Sequence, residues 1–132
     1  MSVDLQWKDK GVYRKFSGRF SESDVQQSNQ RIARDRQFPS LQWSIADFLD
    51  AEVDEDSPGN FYDAVAGHEA VMAAQRRRDS ELWTAAVATD PRTIAHLRFF
   101  DSLKLPPHPV RLFETVDAAR AWIAGHCPSA TR

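Results

Sequence analysis

Apolar and polar residues alternate through the first part of the chain. Val3, Leu5 and Trp7 are separated by polar residues, and after a Lys-Gly pair the second segment carries Val12, Tyr13 and Phe16 and leads to Gly18 and Phe20. A period of two places every second side chain on the same face of a strand. The N-terminal part is therefore predicted to form a β-hairpin with one face in solvent.

Helical spacing replaces this alternation after the hairpin. Ser21 or Ser23 can cap a helix, Asp24 completes a capping box with Ser21, and the helix is expected to end before Pro39. The segment LQWSIADF, 41–48, is predicted to be a strand because its large apolar residues have high β propensity. An acidic loop is expected to end this strand.

Helices and strands are predicted to alternate through the rest of the chain. Residues 61–78 carry apolar side chains at helical spacing, whereas LWTAAVAT, 82–89, is almost uninterrupted by polar residues. Such an apolar run is typical of a strand that is covered on both faces. A helix is then predicted to start at Pro91, a strand at 110–115 and a last helix after Thr115.

The predicted order of elements is β-β-α-β-α-β-α-β-α. After the opening hairpin, this alternation indicates an α/β protein with a mixed, mostly parallel sheet of about five strands and about four helices. Parallel neighbours need a helix that crosses the sheet, and such crossovers are right-handed.

Length and composition suit one globular domain. The chain has 132 residues, of which 42% are hydrophobic and 27% charged. We expect a single domain over residues 1–132, with a compact part at about 3–124 and a mobile tail at about 125–132.

Composition also limits the compartment and the partners. The single cysteine, Cys127, leaves no internal disulfide and no cysteine-based zinc site. No apolar run reaches the roughly 20 residues that cross a bilayer, so a cytoplasmic protein without an integral membrane segment is predicted. The net charge of −2 gives no basic surface for nucleic acid. No phosphate loop, HExxH helix or GxSxG motif occurs, and no cofactor is expected.

The segment 44–60, SIADFLDAEVDEDSPGN, concentrates acidic residues without a base. Its six carboxylates are Asp47, Asp50, Glu52, Asp54, Glu55 and Asp56. Alternating oxygen ligands can hold a divalent cation. However, a calcium loop needs glycine and a bidentate carboxylate where this chain has Glu55 and Phe61, so no metal site is predicted. A solvated loop over 50–60 is the simpler interpretation.

Four motifs stand within the predicted order of elements: FSGRFSESDV, LQWSIADF, LWTAAVATD and VRLFETVDAARAWI. Together with that order, they resemble the bacterial SpoIIAA-like branch of the STAS superfamily over about residues 3–123. It implies a STAS-type fold and no enzymatic activity.

The resemblance also implies a regulatory site. In the anti-sigma-factor antagonists of this superfamily, a loop after a central strand presents an Asp-Ser-Ser-Gly-like motif whose serine a partner kinase phosphorylates. Asp56, Ser57 and Gly59 stand at the corresponding place, with Pro58 after the serine. A phosphate on Ser57 would add about −1.5 to −2 charge. The alternative is that these residues only turn the chain before the next helix.

Three other features have simpler interpretations. His68 lies within an apolar helical stripe, where a histidine at the edge of the core is favoured over a ligand or base. Cys127 has no neighbouring base that would activate a thiol. The four tryptophans could line an apolar pocket, although core packing is favoured.

Three classes of function follow. The sequence favours a non-catalytic interaction or regulatory module with a protein partner, acting through 50–60 and in particular through Asp47, Asp56, Ser57 and Gly59. The alternative is a carrier or sensor of a lipid or other apolar small ligand. An enzyme would need converging titratable groups, which no motif supplies. A homodimer is a further expectation.

Overall fold

The computed structural model describes residues 2–54, 82–102 and 110–127. Its strands are β1 Ser2–Lys8, β2 Gly11–Phe20, β3 Trp43–Val53, β4 Trp83–Val87 and β5 Val110–Phe113. Its helices are α1 Glu22–Arg34, α2 Pro91–Ser102 and α3 Val116–His126, with a short 3-10 helix at Phe38–Ser40. The helix predicted at 61–78 lies outside these ranges, so three α-helices are described where the sequence predicts about four.

The five strands form one sheet in the order β1-β2-β3-β4-β5. β1 pairs with β2 in the antiparallel sense, and every later pair of neighbours is parallel. The predicted mixed, mostly parallel sheet is therefore confirmed. Trp43 of β3 pairs with Trp83 of β4, so these two apolar segments belong to one sheet, as the sequence requires.

A two-residue turn joins β1 to β2. Lys8 pairs with Gly11, and between them Asp9 and Lys10 have φ angles of 46° and 65°. Two successive residues with positive φ are the signature of a type I′ turn, whose twist matches that of paired strands. The turn fixes the register of the hairpin, because a slip by one residue would turn every side chain to the other face.

Predicted capping residues start α1 and α3. The Asp24 N–H donates to Ser21 Oγ at 3.4 Å, and the Ser21 N–H donates to Asp24 Oδ2 at 2.8 Å, which completes the capping box. At the start of α3, the Ala118 N–H donates to Thr115 Oγ1 at 3.1 Å. These bonds satisfy amide groups that have no partner inside the helix.

Helices cover both faces of the sheet. α1 and α2 pack on one face, against the buried residues Phe16, Phe20, Ala46, Phe48, Ala51, Ala86 and Ala88. α3 packs on the other face, against the buried residues Trp43, Ile45, Ala85 and Val87. β3 and β4 are thus covered on both sides, which explains why the sequence of β4 has almost no polar interruption.

β3 is longer than the sequence predicts. The acidic residues that were expected to end it continue the strand to Val53, because Asp50 and Glu52 alternate with the apolar Ala51 and Val53. Ala51 is buried, whereas both acids are exposed. The expectation that a loop begins at residue 50 is therefore wrong, and the acids belong to a strand with one wet face.

The packed part of the chain reaches beyond the expected boundary near residue 124. α3 continues to His126, and Cys127 is buried on the face that α3 covers. The Cys127 N–H donates to the Ile123 carbonyl at 2.7 Å, and its thiol donates to the Gln42 carbonyl at 3.7 Å. Residues 128–132 lie outside the described residues, and the single domain over the whole chain stays a prediction.

Candidate functional site

One of the four predicted regulatory residues lies in the described part of the chain. Asp56, Ser57 and Gly59 lie outside it, whereas Asp47 lies in β3 and is 1% exposed. A buried carboxylate in the middle of a strand needs partners, because its charge is costly to remove from water. The groups that contact the Asp47 carboxylate therefore indicate its structural role.

A β-bulge in β3 directly follows Asp47. Its two residues, Phe48 and Leu49, together lie opposite the single residue Phe16 of β2. Phe48 is buried and stacks on Phe16 with ring centroids 4.5 Å apart, whereas Leu49 is 40% exposed. A bulge interrupts the regular alternation of side chains along a strand. Here it places a large apolar side chain in solvent at the carboxyl end of the central strands.

Asp47 holds the backbone of this bulge. Its Oδ1 atom accepts a hydrogen bond from the Leu49 N–H at 2.9 Å, and its Oδ2 atom accepts one from the Tyr13 hydroxyl. Lys15 Nζ lies 3.5 Å from Asp47 Oδ2 and 3.0 Å from Asp50 Oδ2. Since a bulge leaves backbone groups outside the sheet ladder, the carboxylate supplies the missing acceptor. Asp47 thereby fixes the exposed position of Leu49.

The side chains around Asp47 hold their protons tightly. Burial, followed by the hydrogen bond to Asp47, raises the pKa of Tyr13 to about 12. The hydrogen bond to Asp50, followed by the charge of Asp47, raises the pKa of Lys15. Tyr13 therefore stays neutral and Lys15 stays charged near neutral pH. A catalytic acid or base works best with a pKa near the operating pH, so this cluster suits a structural or binding role.

The Tyr13 phenol should titrate near pH 12 in the folded protein, above its ordinary pKa of 10.0. Because the folded-state pKa is the higher one, the proton contributes stability below about pH 10 that is lost as the pH rises towards 12. A Tyr62→Phe protein keeps Tyr13 as its single tyrosine, whose ultraviolet absorbance reports the titration. Adding Asp47→Asn should lower this pKa. An unchanged titration would contradict the role of the carboxylate.

Beyond Ser17 and Asp50, β2 and β3 pair only with each other within the described ranges. β1 pairs with β2 no further than Ser17, and β4 pairs with β3 no further than Asp47. Residues 18–20 and 51–53 therefore form a two-stranded extension of the sheet, the β2–β3 arm. At its end, Arg19 Nη2 lies 3.4 Å from Asp54 Oδ1.

A second polar group, which sequence analysis missed, surrounds Arg14 on the face covered by α1. Arg14 is 7% exposed, and its Nη1 atom donates to Asn29 Oδ1 at 2.6 Å and to Ser28 Oγ at 3.3 Å. Burial lowers the pKa of Arg14 to about 10, so the guanidinium stays charged at neutral pH. The signal was available, because Val12, Arg14 and Phe16 share one face of an alternating strand.

Arg14 borders a cleft between α1, the 3-10 helix and the first residues of β3 and β4. The polar lining of this Arg14 cleft is Arg14, Asn29, Ser44 and Thr84. Its apolar lining is Ile32, Phe38, Leu41 and Leu82. The volume open to the centre of a water molecule is about 30 Å³, which is room for a few atoms, since a water needs roughly 10–15 Å³.

Comparisons with known proteins identify the fold. No model of a known protein family matches the chain, and no curated protein matches its sequence. The structure of the anti-sigma factor antagonist SpoIIAA in its unphosphorylated form is similar, with a TM-score of 0.55 and 10% sequence identity over 91% of this chain and 94% of that one. A crystal structure of a DUF3478-family protein with a SpoIIAA-like fold, from Shewanella loihica PV-4, has a TM-score of 0.51 and 9% identity over 92% of each chain.

The chain therefore has a SpoIIAA-like, STAS-type fold, and the predicted resemblance is confirmed at the level of fold. None of the described helices is long and apolar enough to cross a lipid bilayer.

Proposed function

We propose that this chain is a non-catalytic STAS-type module that binds a protein partner through the β2–β3 arm and the exposed Leu49. The observation that carries the proposal is the bulge that Asp47 fixes, which holds an apolar side chain in solvent beside the Lys15–Asp50 ion pair. An apolar centre with a charged rim is the usual composition of a protein interface. The proposal includes a cytoplasmic location, whereas a homodimer stays a prediction.

The position of this surface supports the proposal. Leu49 is the one large apolar side chain that is exposed among the residues whose burial is known. It lies at the carboxyl end of parallel strands, where open α/β sheets commonly bind their ligands. The chain then continues directly from the arm into residues 55–60, which contain Ser57.

Phosphorylation of Ser57 is the regulatory part of the proposal. The similar SpoIIAA structure is that of an anti-sigma factor antagonist in its unphosphorylated form. A phosphate would meet a sequence rich in carboxylates, but Lys15 pairs with Asp47 and Asp50, and Arg19 pairs with Asp54. These pairs lower the net negative charge of the segment that precedes Ser57 in the sequence, to which a phosphate would add a charge of about −1.5 to −2.

The described side chains support a non-catalytic role. Burial raises the pKa of the Cys127 thiol, which disfavours the thiolate that would be the nucleophile. The pKa of Tyr13, raised to about 12, likewise keeps its phenol neutral. Neither group has the lowered pKa of an activated nucleophile.

The proposal is tested with four variants of the full chain. Leu49→Lys and Ser57→Asp should each weaken binding of the natural partner, identified by capture from the source cells and then purified, by at least about tenfold, or about 1.4 kcal/mol. Leu49→Lys adds a charge at the exposed bulge residue, and Ser57→Asp adds one at the proposed phosphorylation site; both should leave the unfolding midpoint unchanged.

Matched controls make the result specific. Ala121→Lys adds the same charge at an exposed position of α3, and Ser57→Ala removes the hydroxyl without adding charge. Both should bind as wild type does. A partner that binds Leu49→Lys and Ala121→Lys equally would contradict the interface, and equal binding of Ser57→Asp and Ser57→Ala would contradict the switch.

The second candidate function, carriage or sensing of an apolar small ligand, is favoured by the Arg14 cleft. Four of its lining residues are apolar, and the cleft lies on the face covered by α1 and α2, whereas Tyr13 and Lys15 lie on the opposite face of β2. The two functions therefore use separate parts of the molecule.

A further inference from the structure

The Arg14 guanidinium is a buried positive charge whose partners, among the residues that the structure describes, are all neutral. Nη1 donates to Ser28 and Asn29, the Phe16 ring lies 5.7 Å from the guanidinium carbon, and Nε donates to none of the described residues. A buried charge is strongly unfavourable unless an opposite charge accompanies it. The Nε side of the guanidinium therefore retains its capacity for a charged acceptor.

Two buried hydroxyls share this cleft. Ser44 and Thr84 pair with each other across β3 and β4, and both are buried. Neither Ser44 Oγ nor Thr84 Oγ1 has a hydrogen-bond partner within the described ranges. An arginine can only donate, and hydroxyls donate readily, so the group that would satisfy all three is an acceptor with more than one oxygen.

The rest of the cleft limits the acceptor to a small amphipathic molecule. Ile32, Phe38, Leu41 and Leu82 provide apolar contact beside the polar atoms. A single guanidinium balances one negative charge, and the volume of about 30 Å³ that is open to the centre of a water molecule has room for a carboxylate group and few further atoms. A monocarboxylate meets both conditions, since its planar oxygen pair matches the guanidinium fork.

We infer that the Arg14 cleft binds a small monocarboxylate, with its oxygens on Arg14, Ser44 and Thr84 and its short alkyl chain against the apolar residues. This inference rests on the second candidate function and narrows its ligand from an apolar molecule to an amphipathic one with a single carboxylate. It does not depend on the β2–β3 arm.

Titration calorimetry with butyrate, butanol and inorganic phosphate tests the ligand class on the full chain. Butyrate and butanol share an apolar chain and differ in charge, whereas phosphate carries charge without a chain. We expect butyrate to bind more tightly than either. Equal binding of butanol would overturn the inference and retain the carrier function for neutral ligands, and tighter binding of phosphate would overturn the choice of a carboxylate.

Threonine-to-valine variants test the position of the ligand. Thr84→Val removes a cleft hydroxyl with little change of shape. It should lower the affinity for butyrate about 3- to 10-fold, which is the range expected for the loss of one hydrogen bond. Thr93→Val removes another buried hydroxyl without a described partner, in α2 and outside the cleft lining, and should leave the affinity unchanged. Neither variant should lower the unfolding midpoint, because each replaces an unsatisfied hydroxyl by a methyl group.

Arg14→Gln tests the charge. The variant should lose butyrate affinity by at least about tenfold, as expected when a charged hydrogen bond is removed. If Arg14→Gln does not fold, the Thr84→Val and Thr93→Val pair still decides the question. Failure of the wild type to bind butyrate would overturn the inference, as would equal losses in both valine variants.

Discussion

Replacement of Phe16 by alanine should lower the free energy of unfolding by about 3–5 kcal/mol. Phe16 is fully buried, stacks on Phe48 at 4.5 Å and lies within 6.4 Å of the Phe20 ring. It is also the single β2 residue opposite the bulge and faces the Arg14 guanidinium. Loss of the ring would leave a cavity between the sheet and the helices that cover it. The effect is large because the total free energy of unfolding of a domain is only about 5–15 kcal/mol.

Denaturant unfolding measures this loss of stability, and two further variants serve as references for its size. Phe16→Leu keeps an apolar side chain and should cost less, since it loses mainly the ring stacking of about 0.5–1.5 kcal/mol. Leu49→Ala removes a large apolar side chain that is exposed and should change stability by less than about 0.5 kcal/mol. A Phe16→Ala protein as stable as the Leu49→Ala protein would show that the bulge is not anchored in the core.

The strands and the mostly parallel character of the sheet are predictable from the sequence because burial imposes a pattern on apolar and polar residues. The alternation before the Lys-Gly pair gave the hairpin, and the uninterrupted LWTAAVAT gave a strand covered on both faces. Ser21 and Thr115 started helices because few side chains can accept from a first-turn amide. Each of these predictions depends on neighbouring residues in the sequence, and each of these elements is present in the structure.

The candidate site was less accessible because it depends on pairing across the sheet. In the sequence Asp47 begins an acidic run, whereas in the folded chain its partners are Tyr13 and Lys15 on a neighbouring strand. The bulge at Phe48 and Leu49 shifts the alternation by one residue, and no local pattern in the segment DFLD shows where that shift falls. The sequence alone therefore predicts which side chains lie on each face of a strand only where the strand has no bulge.

The burial of Arg14 could not be predicted from the sequence for a different reason. An arginine on the apolar face of an alternating strand can extend its charge into water at a sheet edge. Arg14 does not, because β1 continues the sheet beyond β2 and α1 covers this face. Whether a charge at such a position is buried depends on which elements pack over it. That arrangement follows from the topology of the whole sheet, which a local pattern does not contain.

Replacement of Gly11 by alanine should destabilise the fold by about 1–3 kcal/mol or more, the range for overpacked cores. Gly11 pairs with Trp43, and a Cβ atom on Gly11 would overlap the indole at its Cε2 and Cδ2 atoms. The indole is buried between the sheet and α3, so it has no free space into which to move.

Gly125→Ala is the matched control, because a Cβ at that exposed position of α3 meets nothing within 4 Å. Alanine there should stabilise the helix by about 0.5–1 kcal/mol. Thermal and denaturant unfolding of the two proteins should therefore shift in opposite directions, and a shift of Gly11→Ala towards higher stability would contradict the packing of Gly11 against the Trp43 indole.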